Sequence, residues 1–164
     1  MVSQQQSSVA IKEMVMRADL LHPVVVPAEA GKVLRGALRH KLTEEQTGGA
    51  IYVFDSEFGP GDGNKLHVHR FEDELAYVLE GALEIQLADH QLKITEGGIA
   101  YLPKNIPHAL RNPLGTPSKY LFAAIPGGYI EHWFEAVQAA REGGDLDDAA
   151  YRELSLKYGI EWLE

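Results

Sequence analysis

The chain contains no cysteine. That absence excludes a disulfide scaffold and any thiolate metal site, so a metal bound here is held by nitrogen and oxygen donors. No apolar run approaches the roughly 20 residues that a membrane-spanning helix needs. Positive charge is scarce: 15 Lys and Arg stand against 24 Asp and Glu, a net charge of −9 with neutral His. Nucleic acid is disfavoured as a partner, because no excess of cations is available to neutralise phosphates, and so is an anionic membrane surface. Residues 1–8 are polar, with three Gln and three Ser, and hold no apolar stretch of the secretory kind. A cytoplasmic protein is the expectation.

What is present is ordinary globular composition, 45% hydrophobic and 24% charged over 164 residues, enough for one domain with its own core. Residues 1–21 read as an N-terminal arm, partly disordered, with an apolar stretch at 9–21. From 22 to 128, short β-rich runs alternate with turn residues every 8–12 positions or so, the texture of an all-β sandwich or barrel. Strands are expected at 22–27, 32–38, 39–42, 50–58, 66–69, 74–80, 82–87, 91–94, 99–102, 108–112 and 119–125. Glu80-Gly81 joins two of these runs so closely that a tight hairpin is expected there. Beyond Pro126-Gly127-Gly128 the period changes. Ile130, Trp133, Phe134 and Val137 form the stripe of an amphipathic helix, which Gly143-Gly144 ends. Asp145 is the expected N-cap of a second helix over 146–158, stopped by Gly159, before an apolar tail of Ile160, Trp162 and Leu163. Residues 129–164 thus form a helical extension of the barrel.

Chemistry concentrates in two segments. In the first, Gly61, His67, His69, Glu74 and Gly81 stand in fixed relation. On a strand, residues two apart face one side, so His67 and His69 present two imidazoles to one point. Glu74 lies past a short bend and reaches the same point if its run folds back. In the second segment Gly97, Pro103, Asn105, Pro107, His108 and Asn112 follow one another, and His108 opens a strand after a turn. Three neutral imidazoles and one carboxylate make a shell suited to one divalent Fe, Mn, Ni, Co or Zn ion, whereas Ca and Mg prefer oxygen cages. Four protein donors leave coordination positions open, as catalysis requires. Glu72 and Asp73 read as a solvated turn. His22, His40, His90 and His132 have no partner at ligand spacing. Tyr52, Phe54 and Phe122 are expected in the core, and the Trp133/Phe134 stripe is expected to pack on the barrel.

These segments resemble the paired motifs of the cupin superfamily, G-x5-H-x-H-x4-E-x6-G and G-x5-P-x-G-x2-H-x3-N. The one departure is Asn105, where the family usually has Gly; Asn is the residue next best able to adopt positive φ. The resemblance implies an antiparallel cupin β-barrel (double-stranded β-helix, or jelly roll) over 22–128 with two C-terminal helices. It implies His67, His69, Glu74 and His108 as metal ligands. Thr47-Gly48-Gly49, the Glu74 to Gly81 run, Pro126-Gly127-Gly128-Tyr129 and the ending Tyr158-Gly159-Ile160-Glu161-Trp162-Leu163 are similar to small single-domain cupins grouped with bacterial quercetin 2,3-dioxygenase. That group usually approaches its first His through a Pro-rich stretch; here the approach is Gly63-Asn64-Lys65-Leu66, with a cation. This narrower likeness implies a dioxygenase acting on a small enolisable or aromatic substrate, with dioxygen as co-substrate and Glu74 as general base. An oxygen-independent isomerase, epimerase or lyase, and a non-catalytic small-molecule-binding module, are the other readings the same shell allows. A homodimer is expected, because sandwiches with exposed edges commonly cover them by pairing.

Overall fold

The computed structural model describes residues 23–34, 38–144 and 146–163. The described chain runs β1 (Arg39–Leu42), α1 (Glu44–Thr47), β2 (Tyr52–Phe58), β3 (His67–His69), β4 (Asp73–Glu80), β5 (Ala82–Leu87), β6 (His90–Thr95), β7 (Ile99–Leu102), β8 (His108–Arg111), β9 (Ser118–Ile125), α2 (Tyr129–Glu142), α3 (Asp148–Lys157) and β10 (Ile160–Trp162). The strands form two five-stranded sheets, ordered β1-β2-β9-β4-β7 and β10-β3-β8-β5-β6, with every ladder antiparallel. This is the expected jelly-roll sandwich followed by two helices.

Strand alternation builds the interior. In β9, Ser118, Tyr120, Phe122 and Ala124 point inward; in β4, Glu74, Ala76 and Val78 do. They meet Leu83, Ile85, Leu110 and Ile160 from the opposite sheet. Tyr52, Phe54 and Phe122 stack in sequence, with centroids 5.2 and 5.1 Å apart, so the three aromatics expected in the core are there. The amphipathic stripe of α2 packs on this core: Ile130, Trp133 and Val137 are buried and Phe134 stands edge-on to Phe54.

Several expectations are corrected. The stretch 23–27 makes no ladder; Pro23 and Pro27 have no N–H to donate, and His22 lies outside the described residues. In 32–38, of which 35–37 lie outside the described residues, the described residues show one isolated bridge, from Val33 to Arg39. Glu80-Gly81 is not a hairpin but a corner between the two sheets, since β4 and β5 lie in different ones. A register shift between Val78 and Glu80 bends the strand there. Gly81, at φ 89°, passes so close to Ser118 that a Cβ would collide with that side chain. The second helix is capped not by Asp145, which lies outside the described residues, but by Asp147, whose carboxylate accepts from Ala150 N at 2.8 Å. The apolar tail is a strand: β10 pairs with β3, setting Ile160 against His69 and Trp162 against His67. The short helix α1 was not expected, although Thr43 and Gln46 spell its capping box. The expected arm, 1–21, lies outside the described residues.

Candidate metal centre

The histidines sit on two short strands, β3 and β8, and Glu74 at the start of the longer β4. β3 lies between β10 and β8, and its register sets His67 directly opposite His108. Asn105, at φ 64°, makes the turn that leads into β8; its N–H donates to His69 O at 2.8 Å. Asn112 closes the second motif. Its buried amide donates to the carbonyls of Phe58, Gly59 and Thr116, and its oxygen accepts from Leu114 N and Ser118 Oγ. The motif's Asn therefore ties the end of β2 to the loop between β8 and β9, just past the strand that carries His108.

The four predicted site residues are brought together. His67, His69 and His108 are buried, and their ligand atoms lie within 4.8 Å of one another. His67 Nε2 is 3.1 Å from His69 Nε2. From the opposite sheet, Glu74 Oε2 reaches to 3.4 Å from His108 Nε2 and 4.0 Å from His69 Nε2. His40, His90 and His132 stand elsewhere: His40 is buried against Tyr52 at 3.3 Å, His90 is exposed, and His132 pairs with Glu44 at 3.1 Å.

The residues fit a divalent cation. Each imidazole has its Nδ1 engaged, His67 by Lys65 O at 2.8 Å, His108 by Ile106 O at 3.1 Å and His69 by Glu72 Oε1 at 3.3 Å. A donating Nδ1 leaves Nε2 as a lone-pair donor toward the shared point, which is the tautomer a metal ligand needs. His108 Nε2 is fully buried with no hydrogen-bond partner, a group that a cation would satisfy.

Glu72 corrects the sequence reading. It is not a solvated turn residue: it is 1% exposed, and its carboxylate supports His69 from behind. Its spacing from His69 was visible, but nothing in the sequence says that the chain turns inward there. Asp73 is not in a turn either: it opens β4, half-buried and paired with Ile125, and its carboxylate accepts from Lys104 N at 2.9 Å.

Electrostatics follow from burial and neighbours. Burial, helped by His69 and His108, holds the His67 imidazole down at about 3, so it is neutral at any ordinary pH. For His69, burial acts downward, but the Glu72 hydrogen bond and the fields of Glu74 and Glu72 outweigh it and the net shift is upward. Burial pushes the Glu72 carboxyl up. Burial pushes Glu74 up as well, but the neighbouring His108, His69 and His67 pull it below the ordinary carboxylate value, which leaves it ionised.

Three members of the cluster, His67, His69 and Glu74, line a cavity of about 500 Å³. Phe54 and Phe122 line it from the first sheet, Trp133 and Phe134 from α2, Tyr151 from α3 and Trp162 from β10. The Trp133/Phe134 pair thus does two things, packing on the barrel as expected and also facing the cavity. Ser155 holds this cap together: its Oγ accepts from the indole N–H of both Trp133 and Trp162 at 3.0 Å.

Residues 54–124 match the family model of the cupin domain. The chain is 30% identical over 66 residues to an uncharacterized protein of Methanocaldococcus jannaschii, covering 40% of this chain and 53% of that one. It is 23% identical over 92 residues to the tetracenomycin polyketide synthase protein TcmJ of Streptomyces glaucescens, covering 56% of this chain and 62% of that one. The chain therefore spans a little over half the length of these curated relatives. Among solved structures, a predicted oxalate decarboxylase from Thermotoga maritima superimposes with a TM-score of 0.56 at 22% identity, over 63% of this chain and 99% of that one. That is a likeness of fold. Among the described residues, no helix is long and apolar enough to cross a membrane.

Proposed function

Since this chain belongs to the cupin superfamily, we propose that it is a metal-dependent enzyme of the quercetinase-like kind, oxygenating a small enolisable or aromatic molecule with Glu74 as the base. One observation carries the reading. The imidazole nitrogens of His67, His69 and His108 converge with an ionised Glu74 carboxylate, and His67, His69 and Glu74 open onto a cavity walled by aromatic rings. The relative from Streptomyces glaucescens is by its name a polyketide synthase protein. Polyketides are built of ketone and enol units, the enolisable class that such a site would take.

His67, His69, Glu74 and His108 would hold the cation. A divalent ion bound there supplies Lewis acidity to a hydroxyl or carbonyl oxygen of the substrate and, if redox-active, a route to dioxygen. The protein does the rest. The aromatic walls exclude water and orient a flat ring. The Glu74 carboxylate, ionised and among the residues that line the cavity, takes the proton from the substrate hydroxyl or from the carbon beside its carbonyl. His67 stays neutral and neither donates nor competes for that proton.

The test is oxygen uptake by metal-loaded protein against a panel of flavonols and β-diketones, with Glu74→Gln alongside. Uptake that vanishes in Glu74→Gln while the metal remains bound supports the reading; full uptake in that variant removes the base role. Conversion of a panel member without oxygen would move the chemistry to the proton-abstraction class, an isomerase, epimerase or lyase. Binding of panel members with no conversion of any would leave a non-catalytic module.

A further inference from the structure

The charged lining of the cavity is unlike the rest of the chain. Apart from the metal cluster it carries Lys65, Arg141 and Arg152 against one carboxylate, Asp148, in a protein of net charge −9. Lys65 precedes His67 by two residues and gives its carbonyl to that ring. Arg141 ends α2, with its guanidinium 5.8 Å from the centroid of the Tyr151 ring. Arg152 stands on α3 and donates to Trp162 O at 3.1 Å. Among the described residues, Arg141 makes no ion pair with a carboxylate; its recorded partner is the face of Tyr151. The family match ends at residue 124, so both arginines belong to elements outside it.

A guanidinium resting on an aromatic face is held in place while its N–H fork stays open, and that fork matches a carboxylate. The walls beside it are flat rings. A cavity of about 500 Å³ falls within the size of small-molecule sites. We infer that the ligand of this cavity is a flat aromatic molecule bearing a carboxylate. Its ring lies among Trp133, Phe134 and Trp162, and its anionic group sits on Arg141 with Lys65 and Arg152 beside it. The inference deepens the reading above and rests on it for the entry of a small molecule toward Glu74. It makes the C-terminal helices the part of the chain that chooses the substrate.

The test uses 2-naphthoate and 2-naphthamide, which share a ring and differ in charge, titrated calorimetrically into metal-loaded protein. Tryptophan emission reports where they bind, because the chain's two tryptophans, Trp133 and Trp162, both line the cavity. The naphthoate is expected to bind about tenfold tighter, the worth of one charge-assisted hydrogen-bonded contact. Arg141→Gln should remove most of that preference by weakening the naphthoate far more than the amide. Arg141 is exposed, so an unaltered melting temperature will show that the variant folds. Equal binding of the two probes overturns the inference. So does a preference that survives in Arg141→Gln but disappears in His67→Ala, which would place the anion on the metal. Oxygen uptake with a neutral flavonol but no naphthoate preference refutes this inference alone. A naphthoate preference without turnover of any substrate refutes the enzyme reading alone.

Discussion

Replacing Glu72 with Gln isolates the support behind one ligand. Glu72 Oε1 lies 3.3 Å from His69 Nδ1, and both side chains are buried. Removing a carboxylate that braces a ligating imidazole weakens metal binding by about 10- to 100-fold, which is about 1.4–2.7 kcal/mol. Gln keeps an acceptor oxygen beside Nδ1 and so preserves the tautomer. The expected loss is therefore at the low end, about tenfold. Stability should move the other way or not at all, because a buried neutral amide avoids the desolvation that pushes the Glu72 carboxyl up. Glu72→Ala should lower both quantities, since a buried N–H left without an acceptor costs about 1–3 kcal/mol. Competition against a chromophoric chelator measures the affinity, and melting of the chelated protein measures the stability. Wild-type affinity in Glu72→Gln would refute the reasoning. So would a lower melting temperature with unchanged affinity, which would make Glu72 a packing residue only.

Metal affinity should fall on acidification, measured by the same competition across neutral pH. His69 keeps its second proton to higher pH than an ordinary His, so the proton competes with the cation from above 6.5 downward, whereas His67 adds no competition until near 3. Asn112→Ala should lose several kcal/mol of stability, about 1 kcal/mol for each of the hydrogen bonds it makes, read by chemical denaturation. Ser155→Ala leaves the indoles of Trp133 and Trp162 without their acceptor; the melting temperature should drop and the tryptophan emission shift red as the cap loosens. The proposed homodimer has a surface to use. The outer face of the first sheet carries the rows Val53–Ala123–Leu75–Tyr101 and Asp55–Leu121–Tyr77–Ile99, with Ile99 60% and Tyr101 57% exposed. Light scattering should return twice the chain mass of 18.1 kDa, and Ile99→Lys should return the single mass.

Part of the candidate ligand set was legible because strand geometry is local: His67 and His69 had to share a side. Glu74 and His108 joined them through the resemblance to the paired motifs. Asn105 kept the positive φ of the glycine it replaces. Other features depended on contacts between residues distant in the chain. Glu72 looks like part of an acidic turn until the fold buries it against His69, and the tail at Ile160 to Trp162 shows no strand partner until β3 is placed beside it. Gly81 reads as a hairpin because turn chemistry does not tell which sheet the chain enters next. The first expected strand failed because Pro23 and Pro27 have no N–H to give a ladder. The arginines that line the cavity carry no motif, so only the fold reveals them.

Elemental analysis of protein purified without added metal, set beside the His67→Ala/His108→Ala double variant, tests the metal centre most directly. One transition-metal ion per folded chain, lost in the double variant, is the predicted result. A folded wild-type chain that takes up no such ion, or a double variant that keeps its full complement, would contradict it.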